Sequence, residues 1–355
     1  MELISTLGSH SALDVCEGAK KEGFSTIVVA QKGREKTYSR NYITRKRGDR
    51  SIGVVDEVVL LDRFRDIVGS QDRLAKSVFV PNRSFAVYVG YDAIEKEFNV
   101  PVFGNKHLLR AEERDAEKNQ YHLMERAGIR MPEKFKSPDD IDRLSIVKVS
   151  EAERSYERAF FLARSPEEFQ ERAEGLLGNG KIKEEDLDRA TIEEYIVGAH
   201  FNFNFFYSPL HNEVELLGID TRRQTNIDGY LRMPADAQLE LLKMARPSTI
   251  EVGHIACTLR ESLLEQALDM GRRFVDAVQK EYKDGIIGPF ALQGAMIEEK
   301  GEKFVVFDIS LRVPGSPGTR FTPYSEYLFR ESISFGRRIA MEVKEAGSRI
   351  DDITT

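Results

Sequence analysis

The sequence predicts a protein of two parts, α/β at the start and α+β beyond it. Over the first hundred residues, short apolar runs alternate with helical segments. Over the remainder, paired strand runs alternate with helices. A charged, strongly helical stretch near residues 105–120 parts the two patterns. The length of 355 residues fits two or three domains. We expect one domain over 1–115 and another over 116–355, the latter split into a smaller part at about 120–197 and a larger one at about 198–355.

Leu3–Leu7 is a short apolar strand, and Gly8-Ser9-His10-Ser11 is a turn of helix-starting residues. Ala12–Glu22 is amphipathic and stops at Gly23. Phe24–Ala30, Val54–Leu61 and Ser77–Pro81 are apolar strand runs, Phe85–Glu97 is helical, and Val100–Phe103 is a short strand. Strands separated by helices predict a parallel sheet, whose ligands bind beyond the strands' carboxyl ends. That places Gly8–Ser11 and Pro81–Ser84 at the mouth of a site. Thr37–Gly53 carries Arg45-Lys46-Arg47 and Arg50 without apolar period; we expect an exposed loop, either a solvated insertion or a contact for phosphate or a partner.

Leu108–Ala127 is helical, broken by Gly128 and Pro132. Ser145–Val149 and Ala159–Ala163 suggest a hairpin, and Ser165-Pro-Glu-Glu opens a helix with a capping serine and acidic first turn. Strands then follow at Thr191–Val197, Phe201–Tyr207 and Val214–Asp220, and a long helix at Glu261–Tyr282. Gly288–Ile297 and Lys303–Ile309 form a second hairpin, and Ile333–Glu345 is the last helix.

Lys and Arg number 52 against 59 Asp and Glu, a formal charge of −7, so the broad basic footprint of a nucleic-acid binder is missing. The two cysteines, Cys16 and Cys257, lack the pairing or spacing of a disulfide framework or zinc site. No apolar run approaches the roughly 20 residues of a membrane span, and the first residues lack a signal-peptide core. We expect a cytoplasmic protein.

The fingerprints G-x-G-x-x-G, G-x-x-x-x-G-K-[ST], H-E-x-x-H and G-x-S-x-G do not occur. The six histidines show no metal-ligand spacing. Three groupings remain. Gly8–Ser11 lies at a strand-to-helix junction, where backbone N–H groups and His10 suit an anion; simple helix capping explains it equally. Lys148 on an apolar strand needs an anionic partner, either a nucleotide phosphate or a nearby carboxylate such as those of Glu193-Glu194-Tyr195. Gln293 and Asp308 sit on strands expected to pair, where an amide oxygen and a carboxylate can hold Mg²⁺, although such pairs are common. Ser310 and Arg312 share the face of Asp308 by strand period.

The order of strand lysine, E-E-Y strand and ligand-bearing hairpin resembles the ATP-grasp fold. Longer blocks are more specific: TLGSHSALDVCEGAKKEGFST (Thr6–Thr26), VPVFGN (Val100–Asn105), IEEYIVG (Ile192–Gly198), FYSPL and ELLGID (within Phe206–Asp220), TNIDG (Thr225–Gly229), IGPFALQ (Ile287–Gln293), FDISLRV (Phe307–Val313) and FGRRIAMEVKEA (Phe335–Ala346). Together, over about residues 3–346, they resemble the archaeal formate-dependent AICAR-formylating ligases, the FAICAR synthetases of purine biosynthesis. The resemblance implies a pre-ATP-grasp domain followed by an ATP-grasp fold whose smaller part is a lid. It also implies ATP, Mg²⁺ (or Mn²⁺), formate and AICAR as cofactors and substrates, and a homo-oligomer. In such enzymes ATP phosphorylates formate, and the 5-amino group of AICAR attacks the formyl phosphate.

Matched position by position, the resemblance assigns His10, Ser84 and Asn226 to AICAR and Lys148 to the ATP phosphates. Glu193, Glu194, Tyr195 and Val197 fall at the adenine and ribose hinge, Gln293 and Asp308 at the metal, and Arg312 at the transferring phosphate or formate. Asp308 stands where the family usually has Glu. Three stretches depart from the pattern. Ser150-Glu-Ala-Glu-Arg-Ser-Tyr-Glu-Arg158 has no glycine where the family has a glycine-rich lid loop, and glycines there let backbone N–H groups approach phosphate. Pro314–Tyr324 lacks the family's asparagines, and Ala199-His200 replaces Thr-Asn. These departures leave two alternatives to the formate ligase: an ATP-grasp ligase for another acid and amine, and a non-catalytic nucleotide- or AICAR-binding paralogue.

Overall fold

The computed structural model describes residues 2–113, 116–149, 160–245 and 247–355. The chain opens with β1 (Leu3–Leu7), α1 (Ala12–Lys21), β2 (Ser25–Gln31), β3 (Arg45–Arg47), β4 (Arg50–Ile52), β5 (Glu57–Leu61), β6 (Val78–Val80), α2 (Arg83–Val89) and α3 (Tyr91–Lys96). Strands β5, β2, β1 and β6 lie side by side in that order, all parallel. The runs of β1, β2 and β6 are buried without alternation, as a sheet covered on both faces requires.

Several sequence expectations change here. Thr37–Gly53 is exposed but ordered: a π-helical turn at Thr37–Asn41 buries Tyr38, and β3 pairs with β4 as a two-stranded ribbon. The helix expected over Phe85–Glu97 divides at Gly90, whose φ of 88° no helical residue adopts. Val100–Phe103 forms no strand; Val102 bridges to Phe79 and Phe103 to Thr354. The stretch Leu108–Ala127 holds a short turn at Leu109–Glu112 and then α4 (Gln120–Arg126). The Asn119 side chain starts α4, accepting from the Tyr121 and His122 amides.

A second, antiparallel sheet follows, built from β7 (Lys134–Phe135), β8 (Ser145–Lys148), β9 (Phe160–Ala163) and β10 (Thr191–Glu194), in the order β7-β10-β8-β9. Helices α5 (Pro166–Gly178) and α6 (Glu184–Asp188) connect β9 to β10, and Phe161, Phe169, Val147 and Ile192 make its core. Ser165 caps α5 as expected, accepting from the Glu168 amide.

The largest sheet takes β11 (Ala199–Ser208), β12 (Glu213–Thr225), β13 (Thr249–Ala256), β14 (Gly288–Glu298) and β15 (Glu302–Ser310) in the order β13-β12-β11-β14-β15. Helices α7 (Asp228–Leu231) and α8 (Ala235–Met244) lie between β12 and β13, and α9 (Glu261–Glu281) follows β13. The Phe–Asn alternation of β11 sorts its faces. Phe203 and Phe205 join the core under α9, where Gly271 admits the Phe205 ring, while Asn202 and Asn204 face Asp220.

After β15 the chain returns to the N-terminal sheet through α10 (Tyr324–Phe329) and α11 (Phe335–Ala346). A Cβ added to Gly18 of α1 would lie 2.0 Å from the Arg337 amide nitrogen, and one on Gly336 would lie 2.0 Å from the Asp14 carbonyl oxygen. The two helices therefore touch backbone to backbone. Phe335, Ile339, Ala340 and Val343 complete a core with Ile4, Val15, Ala19, Val78 and Val80. Arg338 is buried between Glu215, which it meets through two bonds of 2.7 Å, and Glu342, with its charge 4.3 Å from the Phe206 ring centre. Val102 and Thr355 exchange two backbone hydrogen bonds at the chain's end. No described helix is long and apolar enough to cross a membrane.

Candidate functional site

The loops after β1 and β6 converge because those strands are neighbours. Asn82 starts α2 by accepting from the Phe85 amide, and its NH₂ donates to the Leu7 carbonyl. Ser84, buried in the first turn of α2, shares a 2.6 Å hydrogen bond with Ser9. Ser11 sits at φ 59° and does not cap α1; its hydroxyl donates to the Pro314 carbonyl at 2.5 Å. The simple capping explanation of this turn therefore fails for Ser11, which instead anchors the Pro314 loop. His10 projects between these anchors. Burial and the nearby Arg312 hold its pKa below the ordinary value, with His254 and Arg83 adding to the effect and Glu251 opposing it.

Three arginines gather round this mouth. Arg83 of α2 pairs with Glu112 at 2.9 Å, and the other Glu112 oxygen accepts the Leu311 amide at 2.7 Å. Arg312 reaches Glu112 at 3.5 Å, while its Nε is buried and finds no hydrogen-bond partner among the described residues. Burial lowers the pKa of Arg312; Glu112 works against that and Arg83 and Arg222 add to it. Burial is the largest single influence on Arg83 and lowers its pKa, but Glu112, Tyr91, Glu113 and Asp308 together raise it on balance. A small cavity beside Arg312 is lined by Pro81, Asn105, Pro289 and Leu311.

Gln293 and Asp308 are direct partners across the β14–β15 pair, with a register shift beginning at Gly294. The Gln293 amide oxygen accepts from Arg222 Nη2 at 2.6 Å, and its NH₂ donates to Ser310 at 2.8 Å. Asp308 is half-buried, forms no hydrogen bond to a described residue, and acts electrostatically on both Arg83 and Arg312. Among the described residues no three carboxylate, histidine or cysteine groups gather for a metal. An open carboxylate beside an amide oxygen still fits a cation that completes its shell with water and phosphate. Such a cation needs Arg222 to release Gln293, and Glu251, 3.9 Å from Arg222, is the waiting partner.

On the second sheet, Lys148 pairs with Glu193 through a buried ion pair, and Tyr121 donates to the same carboxylate at 3.1 Å. The nearby carboxylate expected for Lys148 is that of Glu193. Glu194 instead faces Arg130 and the Glu133 amide. The Tyr195 amide donates to the Leu144 carbonyl, leaving the Tyr195 ring part-exposed and Val197 exposed beyond it. The glycine-free stretch 150–158 lies outside the described residues.

Asn226 takes another position. It follows β12, where its side chain accepts the Ser248 amide at 2.8 Å, and no hydrogen bond joins it to His10 or Ser84. The structure thus brings His10, Ser84, Arg312 and Asp308 into one neighbourhood and sets Asn226 at the end of the β12–β13 ribbon. Sequence reasoning missed Arg83, Glu112 and Arg222, and also His254, whose Nδ1 lies 2.6 Å from buried Asp220. Arg222 alone had a signal, the strand period that places it with Asp220 on β12.

Two family models match this chain: one described as a protein of unknown function (DUF1246) over residues 4–135, and one as a domain of unknown function (DUF1297) over residues 168–355. A 5-formaminoimidazole-4-carboxamide-1-(beta)-D-ribofuranosyl 5'-monophosphate synthetase of Methanopyrus kandleri is 45% identical, with 97% of this chain and 91% of that protein covered. One of the same description from Methanothermobacter thermautotrophicus is 43% identical, covering 99% and 94%. A crystal structure of an IMP biosynthesis protein PurP from Thermococcus kodakaraensis superposes with a TM-score of 0.72 at 31% identity, covering 99% of this chain and all of that one. An ADP complex of an N5-carboxyaminoimidazole ribonucleotide synthetase shares the fold, with a TM-score of 0.58 at 12% identity over 94% of this chain and 78% of that one.

Proposed function

The chain belongs to the family of 5-formaminoimidazole-4-carboxamide ribonucleotide (FAICAR) synthetases, and from that premise we propose how its own residues carry the reaction. The protein is an ATP-grasp ligase that formylates AICAR at the expense of ATP and formate, in IMP biosynthesis. The observation that carries the residue assignment is the convergence of His10, Ser84, Arg83 and Arg312 beyond the carboxyl ends of β1 and β6, facing Asp308.

AICAR brings a phosphate and a carboxamide, and this mouth offers matching groups. Ser84 and His10 contact the nucleotide, with His10 held neutral so that its ring can both accept and donate. Asn226 contacts it from the β12–β13 ribbon. Arg312 stabilises the charge that develops on the transferring phosphate: its Nε is a buried donor without a partner among the described residues, and such a group acts strongly where water is excluded. Glu112 fixes Arg83 and Arg312 relative to the Leu311 backbone, so both charges are in place before substrate arrives.

ATP lies against the β8–β10 sheet. Lys148 turns from Glu193 to the polyphosphate, and Glu194, Tyr195 and Val197 line the adenine and ribose. Asp308 and Gln293 hold the divalent cation, Mg²⁺ or Mn²⁺, which supplies charge neutralisation to the phosphates. The formyl phosphate formed there is a reactive acyl phosphate, so closure of the site against water protects it.

The test is product stoichiometry. Purified protein with ATP, Mg²⁺, formate and AICAR should yield FAICAR and ADP in equal amounts, followed by chromatography. If neither forms while calorimetry shows AICAR binding without ATP, the protein is a non-catalytic nucleotide binder. Binding of both without FAICAR indicates a different acid or amine.

A further inference from the structure

Asp220 lies buried on β12 and meets three nitrogen donors. Asn202 Nδ2 is 2.8 Å away, Asn204 Nδ2 is 2.6 Å away, and His254 Nδ1 is 2.6 Å away on the neighbouring strand. Two amides already donate to this carboxylate, so it serves as acceptor for the ring as well. In the neutral ring the His254 proton therefore sits on Nδ1, which puts the lone pair on Nε2.

That nitrogen is aimed at Gly315. A Cβ added to Gly315 would lie 3.5 Å from His254 Nε2 and 3.5 Å from His10 Nδ1. Two imidazoles, carried by β13 and by the loop after β1, thus flank the same side-chain-free spot. The Pro314 loop that provides it is tied down by Ser11. His254 is part-exposed and belongs to no hydrophobic core cluster among the described residues.

We propose that His254, oriented by Asp220, is the general base of formyl transfer. The inference rests on reading the His10 mouth as the AICAR site. The 5-amino nitrogen of AICAR attacks the carbonyl carbon of formyl phosphate and forms the C–N bond. The carbon–oxygen bond to phosphate breaks, and phosphate leaves with that electron pair. Attack makes the nitrogen cationic, and unless it loses a proton the adduct collapses back to the amine. His254 Nε2 takes that proton, and the imidazolium is stabilised through Nδ1–H by Asp220. Asp220 is a positioning residue, and Asn202 and Asn204 fix its carboxylate.

The reaction divides into two measurable halves. One is ADP formation from ATP and formate; the other is FAICAR formation from AICAR and chemically supplied formyl phosphate. In His254→Gln, which keeps an amide but no base, the transfer half should fall by about a hundred- to ten-thousand-fold, while ADP formation stays within about threefold. In His254→Ala, added imidazole should restore part of the transfer. Asp220→Asn should lower kcat of transfer and leave the KM for AICAR unchanged. Transfer within threefold of wild type in His254→Gln overturns the proposal, and so does a parallel fall of both halves in His254→Gln and His254→Ala. Wild-type protein that forms no FAICAR overturns the functional reading itself, and this outcome is read in the control without any variant.

Discussion

The mouth beyond β1 and β6 and the strand β10 are both short polar segments assigned to substrate, yet they are held in opposite ways. At the mouth, structural groups take up the structural bonds. Asn82, Ser11 and Glu112 tie loops to backbone, Ser9 accepts from the Ser84 hydroxyl, and α11 braces α1 from behind. His10 and Asp308 remain accessible to a ligand, and the buried Arg312 Nε has no hydrogen-bond partner among the described residues. On β10 the functional charge is itself the structural tie, because Glu193 neutralises Lys148. The first region is preformed and the second must exchange partners, so nucleotide recognition at the mouth should depend little on the ATP side.

Substitutions can break or sharpen that contrast. Gly18→Val forces a side chain into the Arg337 backbone and should destabilise by more than about 4 kcal/mol; an unchanged denaturation midpoint would show that α1 and α11 are free to part. Asp308→Ala should reduce FAICAR turnover by about a thousandfold or more with the thermal midpoint retained, and wild-type rates would remove it from the metal. Glu193→Gln removes the carboxylate from the buried ion pair with Lys148 and should destabilise by about 3–5 kcal/mol. Saturating ATP should recover more stability in this variant than in wild type, and equal ATP shifts would mean that Lys148 does not change partner.

Asp14 tests the brace through pH. Burial raises its carboxyl to about 6, although the Gly336 amide donates to it. The folded state therefore holds this proton more tightly than the unfolded chain. Its contribution is fully present below the ordinary carboxylate value and is lost as pH rises through about 6. Wild type should gain about 2–3 kcal/mol relative to Asp14→Asn between neutral pH and pH 4; parallel stability curves would refute the burial argument. The smallest effect expected is His10→Ala, with the KM for AICAR rising about tenfold, or roughly 1.4 kcal/mol, and that for ATP unchanged. An equal rise in both would erase the contrast.

Much of this architecture was legible because apolar runs and turn residues agreed locally. Leu3–Leu7, Ala12–Lys21 and the Ser165 cap are set by neighbours in sequence. Two elements of the ribbon region left no such trace. α8 has no buried residue: its Leu239, Leu242 and Met244 are exposed, so no core packing marks it. β13 sits at the edge of its sheet, with Val252 and Ile255 exposed. Missing β13 also hid His254, whose partner lies 34 positions away. Glu112 was hidden for a similar reason: it belongs to a stretch that looked like one helix, and its bonds go to Arg83 and to Leu311, 199 positions on. Of the site, the residues at strand ends were readable from topology and the family resemblance. The ties between remote segments were not, since no local pattern encodes them.

The return of α11 to the first sheet also orders events in time. Ile4, Val15 and Val78 are made early on the ribosome, but Phe335, Ile339 and Val343, which finish their core, emerge much later. Contacts spanning more than 300 positions carry a high loop-closure cost and slow folding. Until α11 is made, the nascent N-terminal sheet exposes the apolar face that α11 will cover. The nucleotide mouth that the sheet supports is correspondingly late to mature.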